Sequence, residues 1–113
     1  MIKNNLYTIE KDKENLIFIL NSATIDDSYF DAISNNFIRN KNIAFDMKQV
    51  RSITSKKFIK ALLNKEIKLF NLKNEILVYL SIIIKNGPLN SYLCKKDFKV
   101  NKHEFIKRNF LIA

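Results

Sequence analysis

The sequence predicts one α/β domain, in which a mixed β-sheet of four to five strands is flanked by helices. The chain has 113 residues, which is close to the commonest size of a single domain. Hydrophobic residues make up 47% of it, which is enough to fill a packed core. Along the chain, runs of β-branched and aromatic residues alternate with runs whose apolar residues recur at helical spacing. That alternation is typical of strands joined by helices.

The chain begins with a predicted β-hairpin. Leu6–Ile9 and Leu16–Leu20 are apolar, β-prone runs, and the charged residues between them place a turn near Asp12 and Lys13. The apolar period then becomes helical, which predicts a helix over residues 24–39. Either Thr24 or Ser22 would cap it, and three acids suit its positive N-terminal end: Asp26, Asp27 and Asp31.

The middle of the chain predicts a strand, a loop, a helix and another strand. The strand runs from Asn42 to Phe45 and ends at Asp46, and the loop after it carries the apolar anchors Val50 and Ile53. Thr54 or Ser55 would cap a helix reaching Leu63, and the next strand covers residues 66–70. Six strand residues are expected to be buried: Leu16, Phe18, Ile43, Phe45, Ile67 and Leu69.

The C-terminal part predicts a third helix, capped by Asn74 and running from residue 75 to residue 86. Gly87 and Pro88 directly after it are a strong helix-ending signal. A last strand is expected over residues 91–94 and a short helix over residues 97–110. We therefore divide the chain into a domain of residues 1–94 and a C-terminal extension of residues 95–113, predicted to be a short helix packed on the same domain.

Basic residues are concentrated in the second half of the chain. Residues 1–50 contain six Lys and Arg against seven acids, whereas residues 51–113 contain fourteen Lys and Arg against four acids. A one-sided basic field suits nucleic acid, anionic lipid or an acidic protein partner. A lysine-rich solvated surface without a specific partner explains the same composition.

Several features point to a cytoplasmic protein without a membrane span. Cys94 is the single cysteine, so one chain has neither a disulfide nor a cysteine-rich metal site, which fits a reducing compartment. The polar N-terminus lacks the pattern of a secretory signal. The longest apolar run, residues 76–84, is about half the length that a bilayer span needs.

The order of elements and the central loop together resemble the STAS domain, the fold of bacterial anti-sigma-factor antagonists. In that family a strand ending in Asp is followed by a loop with apolar anchors and then by Asp-Ser-x-Gly at a helix start. Here the strand ends at Asp46, and Ser55 stands where the family has its phosphorylatable Ser or Thr, with no gap between them. Thr54 replaces the family's Asp, and Lys57 replaces its Gly. The resemblance covers residues 6 to about 93.

The resemblance implies a regulatory, non-enzymatic protein–protein interaction module that docks a partner through the loop and helix around Ser55 to Leu63. The expected partner-binding residues are Asp46, Thr54, Ser55, Lys56 and Lys57, and Ser55 is a candidate phosphorylation site. No cofactor and no metal site are expected. Because some members of the family are small cytoplasmic subunits of lipid transporters, a membrane-complex partner is an alternative. A nucleic-acid binder that uses the basic half is another.

Each candidate residue also has a purely structural interpretation. Ser55 could serve solely as the helix cap, and Asp46 could fix its own loop by bonding backbone N–H groups instead of acting chemically. Lys56 and Lys57 are unusual because first helical turns favour acids, so reversing both charges is expected to abolish docking and could raise stability. His103 lacks metal-ligand companions at a useful spacing, and Cys94 fits a small core residue.

Overall fold

The fold is that of a computed structural model, which describes residues 2–3, 5–12, 14–84 and 92. These residues form seven strands and three helices. In chain order they are β1 (Ile2–Lys3), β2 (Tyr7–Asp12), β3 (Asn15–Leu20), β4 (Thr24–Ile25), α1 (Asp27–Ser34), β5 (Asn42–Asp46), β6 (Ser52–Ile53), α2 (Lys56–Leu63), β7 (Ile67–Phe70) and α3 (Asn74–Ile83).

The main sheet is mixed, as the sequence predicts, and its strand order is β1-β2-β3-β5-β7. The predicted hairpin is confirmed, because β2 and β3 pair antiparallel up to Asp12 opposite Asn15. Strands β3, β5 and β7 pair in parallel, with α1 and α2 in the connections between them. A second, two-stranded parallel sheet joins β4 to β6. The chain is therefore an α/β fold with a mixed sheet and three helices in its described part.

All three helices contribute buried side chains to a single core on one face of the sheet. Phe45 lies at its centre, with its ring centroid 5.6 Å from Phe18, 6.3 Å from Phe30 and 5.9 Å from Phe58. All six strand residues expected to be buried are at most 7% exposed, which confirms that prediction. The loop anchors Val50 and Ile53 belong to the same core.

The first helix is shorter than predicted and has a different cap. It begins at Asp27, and Asp26 caps it by accepting a hydrogen bond from the Tyr29 N–H at 2.7 Å. The chain before it cannot be helical, because Ile25 belongs to β4 and its carbonyl accepts the N–H groups of residues 54 and 55. Thr24 and Ser22 are thus not caps, and α1 ends at Ser34 instead of residue 39.

The third helix also differs from the prediction at both ends. Its N-cap position is Lys73, which makes no side-chain cap, so Asn74 is the first helical residue rather than the cap. The helix ends at Ile83 instead of residue 86, because Ile84 already has an extended backbone. The predicted strand over residues 91–94 and the predicted helix over residues 97–110 lie outside the described residues, except for Tyr92, which is buried and is not in a strand. Among the described residues, none of the helices has the length and apolar character that crossing a bilayer takes.

Candidate functional site

The start of α2 is fixed by Ser55, whose hydroxyl makes two hydrogen bonds. Its Oγ accepts from the Phe58 N–H at 3.0 Å, so of the two predicted caps, Thr54 and Ser55, it is Ser55 that caps the helix. The same hydroxyl donates to Asp27 Oδ1 at 2.6 Å. Ser55 is 1% exposed, so the cap is sealed from water. The first turn of α2 is therefore held both within its own helix and against α1.

Asp27 supplies the acid that the first turn of α2 lacks in sequence. Its Oδ1 also accepts from the Lys57 backbone N–H at 3.3 Å, and α2 has no acid of its own in its first turn. The hydrogen bond from Ser55, then the one from the Lys57 N–H, lower the pKa of Asp27 below its usual value of 3.8. A carboxylate from α1 thereby offsets the positive end of α2.

Lys57 forms an ion pair with the same neighbouring helix. Its Nζ lies 3.1 Å and 3.0 Å from the two carboxylate oxygens of Asp31. Both side chains are more than half exposed, so water screens the pair and its effect on stability is small. The contact nevertheless sets the direction of the Lys57 side chain, which points along the α1–α2 junction.

Lys56 differs from Lys57, because its side chain takes part in no ion pair within the described ranges. It is exposed at the start of α2, and Lys60 and Leu63 are exposed one and two turns further on. Residues at this spacing lie on one side of a helix. We call Lys56, Lys60 and Leu63 the outer stripe of α2, which combines two positive charges with one apolar side chain that is 42% exposed.

The segment that leads into α2 is held by β4. The N–H groups of Thr54 and Ser55 both donate to the Ile25 carbonyl, at 2.9 Å and 3.0 Å. Thr54 is exposed, and its hydroxyl makes one long contact of 3.5 Å to the same carbonyl. Thr54 therefore presents its side chain to solvent beside Lys56, whereas its backbone completes the small sheet.

Asp46 lies at the end of β5 and makes the contacts of a residue that fixes a loop. Its Oδ1 accepts from the Lys48 N–H at 3.0 Å and from Asn71 Nδ2 at 3.3 Å. These bonds tie the loop after β5 to the residue after β7. They do not join Asp46 to the start of α2, so the structure brings together Thr54, Ser55, Lys56 and Lys57 but places Asp46 in a separate set of contacts.

Asp27 and Asp31 are the site residues that the sequence does not reveal as such. They lie 26 to 30 positions before the residues that they contact at the start of α2, and the sequence assigns them to the first turns of α1. Their contacts with α2 follow from the packing of two helices on one sheet face. The local signal that could have found them is the unexplained absence of an acid in the first turn of α2.

A second surface feature lies between β6 and the start of α3. An open cleft of about 200 Å³ is lined by Arg51, Ser52, Ile53, Glu75, Ile76 and Tyr79. Among the described residues no three His, Cys, Asp or Glu side chains are grouped as a metal site would need.

Comparison with known proteins identifies no relative of this chain. No family model matches the chain, and no curated protein or solved structure is significantly similar to it.

Proposed function

We propose that this chain is a non-enzymatic protein–protein interaction module, similar to the STAS domains of anti-sigma-factor antagonists, which docks an acidic protein partner. The docking surface would be the start and the outer stripe of α2, together with the loop before it. The observation that carries the proposal is the exposed Lys56 at a helix N-terminus, where a cation is unfavourable and where no described acid pairs with it.

The stability of the fold does not account for Lys56. A positive charge in a first helical turn costs a few tenths of a kcal/mol, and Asp31 offsets that cost for Lys57 but not for Lys56. Residues that oppose local stability rules are often kept for a surface role. In a complex, an acidic partner would offset the charge of Lys56. In the isolated chain that charge faces solvent.

The rigidity of the helix start also supports docking. Ser55, the Asp27 carboxylate and the two bonds to the Ile25 carbonyl fix the first turn of α2 from three sides. A preorganised surface loses little conformational entropy when a partner binds. The outer stripe adds Leu63 as an exposed apolar contact at the other end of the helix.

The resemblance to STAS domains rests on the order of strands and helices and on the spacing from Asp46 to Ser55. A carboxylate accompanies the serine in this chain as well, although it comes from Asp27 in α1 and not from position 54. Phosphorylation of Ser55 stays a prediction within this proposal. A kinase would have to expose a side chain that is 1% accessible and place a dianion beside Asp27. Phosphorylation would thus loosen the α1–α2 junction.

The test combines capture of the partner with one charge reversal. The tagged chain is used to capture partners from the native cell with and without nuclease, and the purified partner is titrated against Lys56→Glu. Lys68→Glu is the matched control, because Lys68 is an exposed lysine on a strand outside this surface. We expect Lys56→Glu to weaken binding at least about tenfold, as loss of one charge contact and a new repulsion imply. We expect Lys68→Glu to leave binding unchanged.

Three results would redirect the proposal. Loss of all partners on nuclease treatment favours the nucleic-acid alternative, in which affinity falls steeply with salt. Capture of a transporter complex favours the small-subunit alternative. Equal affinities of wild type and Lys56→Glu would show that α2 is not the docking surface.

A further inference from the structure

In the described part of the chain, exposed apolar side chains are concentrated on helix α3. Val78, Tyr79 and Ile82 are 42%, 40% and 67% exposed, whereas α2 has one exposed large apolar side chain and α1 has none. The opposite side of α3, which includes Leu80, is buried in the main core. A helix that is apolar on both sides is normally covered on both. The exposed side of α3 therefore has the character of an interaction surface.

Two opposite charges lie beside this apolar side. Glu75 is exposed one turn before Val78 and Tyr79, and Arg51 lines the same open cleft as Glu75 and Tyr79. Neither Arg51 nor Glu75 forms an ion pair within the described ranges. We call Arg51, Glu75, Val78, Tyr79 and Ile82 the α3 face. It is an apolar surface with one unpaired cation and one unpaired anion.

We propose that the α3 face binds the α3 face of a second copy of this chain. In a two-fold dimer the same surface is used by both copies, so every contact between two different residues occurs twice. Arg51 of each copy can then meet Glu75 of the other, around a shared apolar centre. A partner of one charge would oppose either Arg51 or Glu75 with a like charge, which is unfavourable. Charge complementarity therefore favours a second copy.

The same reasoning separates this face from the outer stripe of α2. The outer stripe carries two lysines, so it would repel a copy of itself and suits an acidic partner instead. The α3 face uses no residue of that stripe. Dimerisation through α3 thus does not depend on the function proposed for α2, and either can be correct without the other.

The size of the α3 face indicates a weak, reversible dimer. The helix has ten residues, so it is about 15 Å long. Stable interfaces bury a total of about 1,200–2,000 Å², which exceeds what one short helix and the rim of a cleft provide. We therefore expect dimerisation to depend on concentration between the micromolar and millimolar ranges.

The first test is sedimentation velocity of the full chain over that concentration range, with a thermal melt of each variant. We expect the wild type to shift from one chain towards two as its concentration rises. Ile82→Lys should weaken dimerisation at least about tenfold, because it places a charge in the apolar centre of both copies. Leu63→Lys is the matched control, because Leu63 is also an exposed apolar residue near a helix end but lies on α2. We expect it to dimerise like the wild type.

The second test exchanges the two charges. Arg51→Glu and Glu75→Arg each place like charges opposite one another in a two-fold dimer, so each variant alone should dimerise less than the wild type. In an equal mixture of the two variants, both contacts are between opposite charges again. We expect the mixture to recover dimerisation, which neither a partner protein nor a contact within one chain would produce.

Three results would overturn the proposal. A wild type that stays a single chain at millimolar concentration would show that something other than a second copy covers the α3 face. Equal dimerisation of Ile82→Lys and Leu63→Lys would place the interface elsewhere. A mixture that associates no better than its two components would show that Arg51 and Glu75 do not meet between copies.

Discussion

Replacing Ser55 by alanine tests the organisation of the α1–α2 junction. The variant removes the hydroxyl that accepts from the Phe58 N–H, and it leaves that N–H unpaired in a buried position. Loss of an N-cap costs about 0.5–2 kcal/mol, and an unpaired buried donor costs about 1–3 kcal/mol. These ranges describe the same lost bond, so they are not summed, and we expect the free energy of unfolding to fall by about 2 kcal/mol.

The assay is equilibrium unfolding in urea, followed by circular dichroism, with a thermal melt of each variant. For a domain of this size a loss of about 2 kcal/mol corresponds to a fall of about 8 °C in the melting temperature. Thr54→Ala is the matched control, because Thr54 is exposed and its hydroxyl makes a single 3.5 Å contact. We expect that variant to stay within about 0.5 kcal/mol of wild type.

The prediction is wrong if Ser55→Ala is no less stable than Thr54→Ala. That result would mean that α2 is capped in solution by another group, or that the junction is not formed as described. A loss well above about 4 kcal/mol would also contradict it, because a single cap does not account for so much.

Three further predictions concern charges and backbone strain at α2. Asp27→Asn should destabilise the chain at neutral pH, and the difference in unfolding free energy from wild type should disappear as pH falls below about 4. A carboxylate whose pKa is lowered in the folded state stabilises the fold above its unfolded pKa and loses this effect when protonated. A difference that does not change with pH in urea titrations would refute this. Lys57→Glu should lower the free energy of unfolding by about 0.5–1 kcal/mol, because it replaces the ion pair to Asp31 with a repulsion. In a double-mutant cycle, adding Asp31→Lys should restore most of the lost stability. No recovery in the double variant would show that the pair is not formed. Lys65→Gly should raise the urea midpoint by an amount equivalent to about 0.5–1 kcal/mol. Lys65 has φ 60° at the end of α2, a left-handed conformation that glycine adopts more easily than lysine. An unchanged or lower midpoint would show that the end of α2 is not strained.

The effect of reversing the two lysines shows how tertiary contacts change a local argument. From the sequence alone, acids at positions 56 and 57 complement the helix dipole, so reversal is expected to raise stability. With Asp27 and Asp31 beside α2, a glutamate at position 57 meets two carboxylates instead. The expected sign at position 57 is therefore negative, whereas the dipole argument still applies at position 56.

The sequence by itself determined the parts of this protein that depend on local periodicity. The hairpin, the strand ending at Asp46, the helix that Ser55 caps and the six buried strand residues were all predictable, because each reflects a repeat of two or 3.6 residues or a cap within one turn. The same holds for the alternation that makes the sheet mixed and places α1 and α2 in its connections.

The tertiary structure decided the features that depend on residues far apart in the chain. The pairing of β4 with β6, which shortens α1, joins residues 28 positions apart. The Asp27 and Asp31 contacts with α2 join residues 26 to 30 positions apart. No local propensity encodes such contacts, because they exist only after two helices pack on the same sheet face. The sequence therefore indicated where the candidate site begins, and the packing of α1 against α2 decided which of its two lysines, Lys57, forms an ion pair among the described residues.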